Sequence, residues 1–302
     1  MIKTFLKWFD NEIEPECEES ISDKADKKID WIRCLPFFFL HLGCFGIFFV
    51  GWSWAAIIIA LLLYLVRMFA ITAFYHRYFS HRSFKTSRGF QFIFALLGNT
   101  AVQRGPLWWA ANHRFHHANS DSKSDIHSPR QDGFWWSHMF WFTNRNNFKL
   151  KSELVSDFKK YPELRFIDRF DIIIPLMLAI LLLFFGNLLE LFMPELKTNG
   201  PQILVWGFFV STVILFHATC STNSFAHLYG YQRYLTKDDS KNNVFIAILT
   251  LGEGWHNNHH YNPNSAKHGV TWWELDITYY LLLFFSYFGF IWDLRKFNHL
   301  KN

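Results

Sequence analysis

CLPFFFLHLGCFGIFFVGWSWAAIIIALLLYLV, residues 34 to 66, contains no Asp, Glu, Lys or Arg over 33 positions. As one straight helix it would be about 50 Å long, against a hydrocarbon core of ~30 Å. The run must fold back. Gly51-Trp52-Ser53 marks the place, with a glycine for the turn and a tryptophan suited to the membrane interface. Two spans are expected, near 33–50 and 53–73. Residues 172–189 and 198–232 are again free of charge, with the short connection Met193–Pro201 between them. They predict a second hairpin, with spans near 172–193 and 201–222. Two shorter apolar runs, Gly89–Gln103 and Ile277–Trp292, fall below spanning length and read as interfacial or core helices.

Working outward, the fold class expected is an all-α membrane protein with four transmembrane helices in two hairpins. A polar N-terminal segment, 1–32, precedes a membrane domain, 33–302. Segments 74–171 and 223–302 form a helical cap. Lys and Arg set the orientation: 28 of the 30 lie before the first span, between the second and third, or after the fourth. The positive-inside rule places both termini and the cap in the cytoplasm. Residues 1–30 are polar and acidic, unlike a signal peptide. The net charge of +5 is thus a topology signal and an attraction to anionic lipid, not a nucleic-acid footprint. Aromatic residues at 20% and only 18% charged exclude intrinsic disorder. Cys17, Cys34, Cys44 and Cys220 form no C-x-x-C pair, and reduced thiols are expected.

Nine of the fifteen histidines fall in four places, all on the predicted cytoplasmic side. They are His76 and His81 in HRYFSH, His113, His116 and His117 in HRFHH, His227 four residues after Asn223, and His256, His259 and His260 in HNNHH. Spacings of three and four put each triplet on one helix face. His76 and His81 are five apart and need a turn or bend. Neutral imidazoles are metal ligands, and nine suffice for two metals with open positions. His41, His217, His268 and His299 stand alone and read as surface or interfacial. Imidazole suits Zn, Fe, Cu and Ni. Only one Glu-x-x-His occurs, Glu253 to His256, so the soluble di-iron bundle class does not fit. There is no H-E-x-x-H for a zinc protease, no haem-binding His-Pro-Gly-Gly, and no G-x-G-x-x-G.

The boxes, in this order, resemble those of the integral-membrane fatty-acid desaturases, most nearly the Δ9 (stearoyl-CoA) group. The carrying strings are GPLWWAA (105–111), Asp125-Ile-His127, GFWWSH (133–138), NSFAH (223–227) and GEGWHNNHH (252–260). The resemblance implies a non-haem di-iron centre held by His76, His81, His113, His116, His117, His227, His256, His259 and His260. Asn223 corresponds to a position holding a metal-bound water. It also implies a bent acyl tunnel, with Gln103, Trp109 and Thr219 near the bend and Arg145 at a basic headgroup position. Glu253, His127 and Asp125 are candidates to orient the ligands.

The reaction implied is O2-dependent insertion of a cis double bond, expected at Δ9, into a saturated acyl chain. Electrons would come from an external carrier of cytochrome b5 or ferredoxin type, docking on the basic face. Animal relatives carry Arg-Asp where this chain has Ala111-Asn112. Acyl-CoA remains the first expectation for the carrier, and acyl-lipid the second. Two rivals stand: a related di-iron hydroxylase, and a non-enzymatic metal transporter or sensor. The spans hold few polar groups for a transport path.

Overall fold

The computed structural model describes residues 6–13 and 27–298. Cys17 and His299 lie outside the described residues. The chain is mostly helical. Four helices are long and apolar enough to cross a membrane: α1 (Trp31–Val50), α2 (Trp54–Ser80), α6 (Ile173–Phe192) and α7 (Gly200–Leu228). Shorter helices that matter here are α3 (Arg88–Asn99), α4 (Pro106–Asn119), α5 (Pro162–Arg169), α8 (His256–Tyr261) and α9 (Ile277–Tyr287). Strand pairing is limited among the described residues to β1 (Lys85–Thr86) against β2 (Ile291–Trp292), antiparallel.

The long helices turn their apolar side chains outward. On α1, Phe39, Leu42, Phe45, Phe48 and Phe49 are exposed, and so are Ile180, Leu181, Phe184 and Leu191 on α6. In water such a surface would be a large unpaid hydrophobic patch; in lipid it is the expected face. Gly51 links α1 and α2 at φ +63°, a conformation that favours glycine. Gly186 brings α6 against the start of α7, where a Cβ would meet Asn199 O at 2.6 Å.

The core lies where α2 leaves the apolar zone. Met68, Ile71, Phe74, Tyr75 and Phe79 are buried against Phe84, Phe94 and Leu107. Phe74 stacks on Phe94 at 3.9 Å between centroids. Arg67 is buried beside them. Its guanidinium and Nε donate to Leu63 O, Thr100 O, Gly207 O, Thr212 Oγ1 and Ser211 Oγ, so every donor finds a neutral acceptor. The cation thereby ties α2 to α7 and to the end of α3.

The helices run past the predicted span limits near 73 and 222. α2 continues to Ser80 by changing its winding: Ala70–Ser80 is π-helix, and all eleven residues are buried. α7 runs unbroken to Leu228 and carries Asn223 and His227 with it. His41 and His217 do not stand alone either. His41 Nε2 meets His217 Nε2 at 3.1 Å, and His217 Nδ1 meets His138 Nε2 at 3.0 Å. His138 Nδ1 then reaches Ser224 Oγ at 2.9 Å. These contacts join α1, α7 and the segment around residue 138 where isolated spacing carries no signal.

α4 is capped from outside by Asp168 of α5, whose Oδ1 accepts from the Trp108 backbone N–H at 2.8 Å. Burial pushes this carboxyl up to about 7 against the pull of that N–H, and the Asp171 charge adds to the rise. The folded state therefore holds a proton that the unfolded chain releases near 3.8. Stability is lost as pH rises from there to about 7, and the cost is complete above it. Asp168→Asn keeps a carbonyl acceptor and removes the titration. Its melting temperature relative to wild type should climb between about pH 4 and about pH 7 and level off above. A constant or shrinking gap would count against the assignment.

Candidate metal centre

The π-winding solves the spacing of the first box. In an α-helix, residues five apart point about 140° from each other. His76 lies in the π-segment and His81 caps it with its backbone N–H turned back to Tyr78 O, so the wider winding and this closing turn together bring the two rings round. His76 and His81 consequently sit with ring centroids 5.0 Å apart. α4 presents His113, His116 and His117, α8 presents His256, His259 and His260, and the end of α7 presents His227.

The nine imidazoles divide into two groups. His76, His81, His113, His117 and His259 form one; His116, His227, His256 and His260 form the other. Within each, the available ligand atoms lie within 4.8 Å of one another. The Nε2 atoms of His81 and His113 are 2.8 Å apart, those of His76 and His259 are 3.0 Å, and those of His117 and His259 are 2.9 Å. In the second group His227 and His256 are 3.1 Å apart.

Hydrogen bonding among the rings explains this poorly. His259 Nε2 faces two other Nε2 atoms at once, and one atom cannot serve both with a single proton. His116 Nε2 and His260 Nε2 are buried with no partner. Two nitrogens bound to one metal at ~2.1 Å and at right angles lie about 3.0 Å apart. The donor set thus fits two metal ions, one per group.

Ligation needs the neutral ring, and the surroundings favour it. Burial, reinforced by neighbouring imidazoles, holds His81, His113, His117, His256 and His259 well below the ordinary histidine range. His116 is the exception: burial would lower it, but Asp125 raises it above that range.

Carboxylates sit on the far nitrogens of four rings. Both oxygens of Asp125 lie 3.0 Å from His116 Nδ1. Asp121 Oδ2 is 2.9 Å from His227 Nδ1, and Asp238 Oδ2 is 2.7 Å from His260 Nδ1. Glu253 Oε2 contacts His76 Nδ1. An N–H donated outward fixes the tautomer and leaves Nε2 bare toward the centre. Burial would raise Asp121 and Asp125, but hydrogen bonds and charge from their histidines hold both below the ordinary carboxylate range.

Asp125 and Glu253 were expected in this role; Asp121 and Asp238 were not. His127 reaches the centre differently, stacking on His116 at 4.2 Å between centroids. His268, read from sequence as peripheral, is fully buried with its ring 4.5 Å from that of His259.

A cavity joins these imidazoles to the substrate candidates. His76, His113, His116 and His256 line it, as do Gln103, Trp109, Thr219 and Asn223. Trp109 Nε1 donates to Gln103 Oε1 at 3.4 Å, and Gln103 Nε2 donates to Thr219 Oγ1 at 3.1 Å, a polar seam across α4 and α7. Met68, Ile71 and Thr72 of α2 also line it. Its cations are Lys7, Arg33 and Arg104. Arg145 is exposed and lies outside the lining.

Residues 52–289 match the family model for fatty acid desaturases. The chain belongs to the fatty acid desaturase family. An acyl-CoA 5-desaturase of Anemone leveillei is 38% identical over 295 residues, covering 93% of this chain and 87% of the relative. An sn-1 stearoyl-lipid 9-desaturase of Anabaena variabilis is 36% identical, covering 86% and 92%. A Delta-9 acyl-lipid desaturase of Arabidopsis thaliana is 33% identical, covering 89% and 84%. This desaturase therefore shares its sequence with relatives that differ in both carrier and double-bond position. Family membership makes it an oxidoreductase of lipid metabolism, and its apolar helices and histidine clusters accord with a membrane metalloprotein.

Proposed function

We propose that this protein is an O2-dependent fatty-acyl desaturase that inserts a cis double bond, at Δ9, into a saturated chain using a His-ligated di-iron centre. The observation carrying this reading is the pair of imidazole groups opening onto one cavity that also holds the Gln103–Trp109–Thr219 seam. Iron, when bound, would supply the oxidising power, drawn from O2 and two external electrons, that unactivated methylene groups require. His76, His81, His113, His117 and His259 would hold one ion, and His116, His227, His256 and His260 the other, with Asn223 reaching the second through water.

The chain's own residues do the positioning. Buried aromatic and aliphatic walls exclude water and hold the acyl chain extended or bent. The distance from the headgroup anchor to the imidazoles selects the carbon presented. Supporting the membrane placement, the positive residues favour two hairpins with both termini, the cap and the centre in the cytoplasm. There an acidic electron carrier of cytochrome b5 or ferredoxin type could dock.

For the carrier we favour acyl-CoA over acyl-lipid, with phosphate as the group recognised. Arg33 and Arg104 line the cavity, and Arg104 is already paired to Asp171 at 2.7 Å. Arg33 donates to the neutral Asn11 at 3.1 Å and keeps its charge for a ligand. Loss of one charge-assisted contact costs roughly 1.5–3 kcal/mol, so Arg33→Ala should raise KM for stearoyl-CoA about 10- to 150-fold. Arg145→Ala should leave it unchanged. Equal effects, or none, would remove Arg33 from the anchor.

The function itself is tested by expressing the protein in a desaturase-deficient host and locating new double bonds by mass spectrometry. A hydroxylated product would favour the hydroxylase reading, and no new product would defeat both.

A further inference from the structure

His268 has an environment that neither its spacing nor the ligand set explains. It lies beyond α8 in the loop leading to α9, with no measurable exposure. Its backbone is tightly held: the N–H donates to Asp276 Oδ2 at 2.7 Å, and the carbonyl accepts from Asn258 Nδ2 at 2.9 Å. Its ring is not. Nε2 has no hydrogen-bond partner, and Nδ1 has only a long contact with a carboxylate. A buried imidazole so poorly met is costly and calls for an explanation.

The carboxylate behind His76 and one imidazole of the five-imidazole set adjoin that ring. Glu253 Oε2, the oxygen that contacts His76 Nδ1, is 3.4 Å from His268 Nδ1. The His259 ring lies 4.5 Å away between centroids and tilted by 40°. His259 Nδ1 is likewise buried and without a partner. Four of the nine imidazoles have a carboxylate on Nδ1; His259 has none.

We propose that His268 is a positioning residue for the five-imidazole group. With Nδ1–H it donates to Glu253, steadying the carboxylate that fixes His76. The inference rests on the two-metal reading above. It assigns His268 no bond to metal. It serves one group and leaves the group of His116, His227, His256 and His260 untouched.

The test is anaerobic titration of detergent-purified, metal-free full-length protein with Fe(II), with the metal-free melting temperature read in parallel. His268→Phe keeps an aromatic ring and removes the contact with Glu253. His268→Gln restores one donor and one acceptor but is a poor ligand. Removing such an orienting partner typically costs 10–100-fold in metal affinity. Wild type should bind two equivalents. H268F should weaken one by about 10–100-fold and leave the other unchanged, while H268Q should recover most of the loss. Wild-type affinity for both equivalents in H268F would overturn the proposal. So would equal impairment in H268F and H268Q, which would indicate packing or direct ligation. Should H268F fail to fold, His268→Met takes its place as a flexible apolar filler under the same criteria. Fewer than two equivalents in wild type would defeat the di-iron reading itself, and this inference with it.

Discussion

Alanine at His116 or His259 should leave no measurable desaturation and remove about one of two irons per chain, one ligand group being broken in each case. His259 has two other Nε2 atoms within 3.0 Å and is the hinge of the five-imidazole group. His116 has Asp125 behind it and an unpartnered Nε2 in front. Product analysis by mass spectrometry and iron content per chain check this together. Conversion at the wild-type rate by either variant would refute the assignment. Asp125→Asn should be milder, because it loosens His116 without removing it. Asn223→Ala should be milder as well, since that residue is proposed to act through water.

The largest effect on stability is expected at Arg77. It is fully buried at the turn of the π-segment, and its donors are shared between two carboxylates. Nε and Nη2 reach Glu253 Oε1 at 3.2 and 2.9 Å. Nη1 and Nη2 reach Asp276 at 3.1 and 2.9 Å, and Nη1 also donates to Ala266 O at 2.6 Å. Arg77→Met fills similar space but strands two buried acids. Breaking a buried pair in this way costs about 3–5 kcal/mol. Denaturation of metal-free protein in micelles should show a loss of that order, and Glu253→Gln in the same chain should recover part of it. A change within about 0.5 kcal/mol would mean the charges find other partners.

What the sequence discloses and what it hides follow from the range of the interactions. Charge-free runs and imidazoles three and four apart are local signals, so the apolar helices and three of the four histidine places are legible. The five-residue spacing of His76 and His81 signals a bend, yet nothing in it distinguishes π-winding from a kink. Asp121 lies 106 residues from the histidine it orients, and Asp238 lies 22 residues from His260. No periodicity connects such pairs. His268 has no partner at helical spacing, and its meaning comes only from the fold that sets it beside His259. The cavity's cations were missed for the same reason. Lys7 and Arg33 come from the chain's beginning, whereas the basic position read from resemblance, Arg145, faces outward.

The π-segment also makes α2 intolerant of changes in length. Each π-turn carries a surplus residue relative to α-winding, so deleting one position between Ala70 and Ser80 lets a turn of the segment relax to ordinary winding. Everything on one side of the deletion then rotates by about 100° relative to the other side. Met68, Ile71 and Thr72 face the cavity on the near side, and His76 and His81 face the imidazole cluster on the far side. No single setting of the shortened helix can satisfy both. The helix works like a two-bitted key, in which the surplus residue sets the angle between the bits.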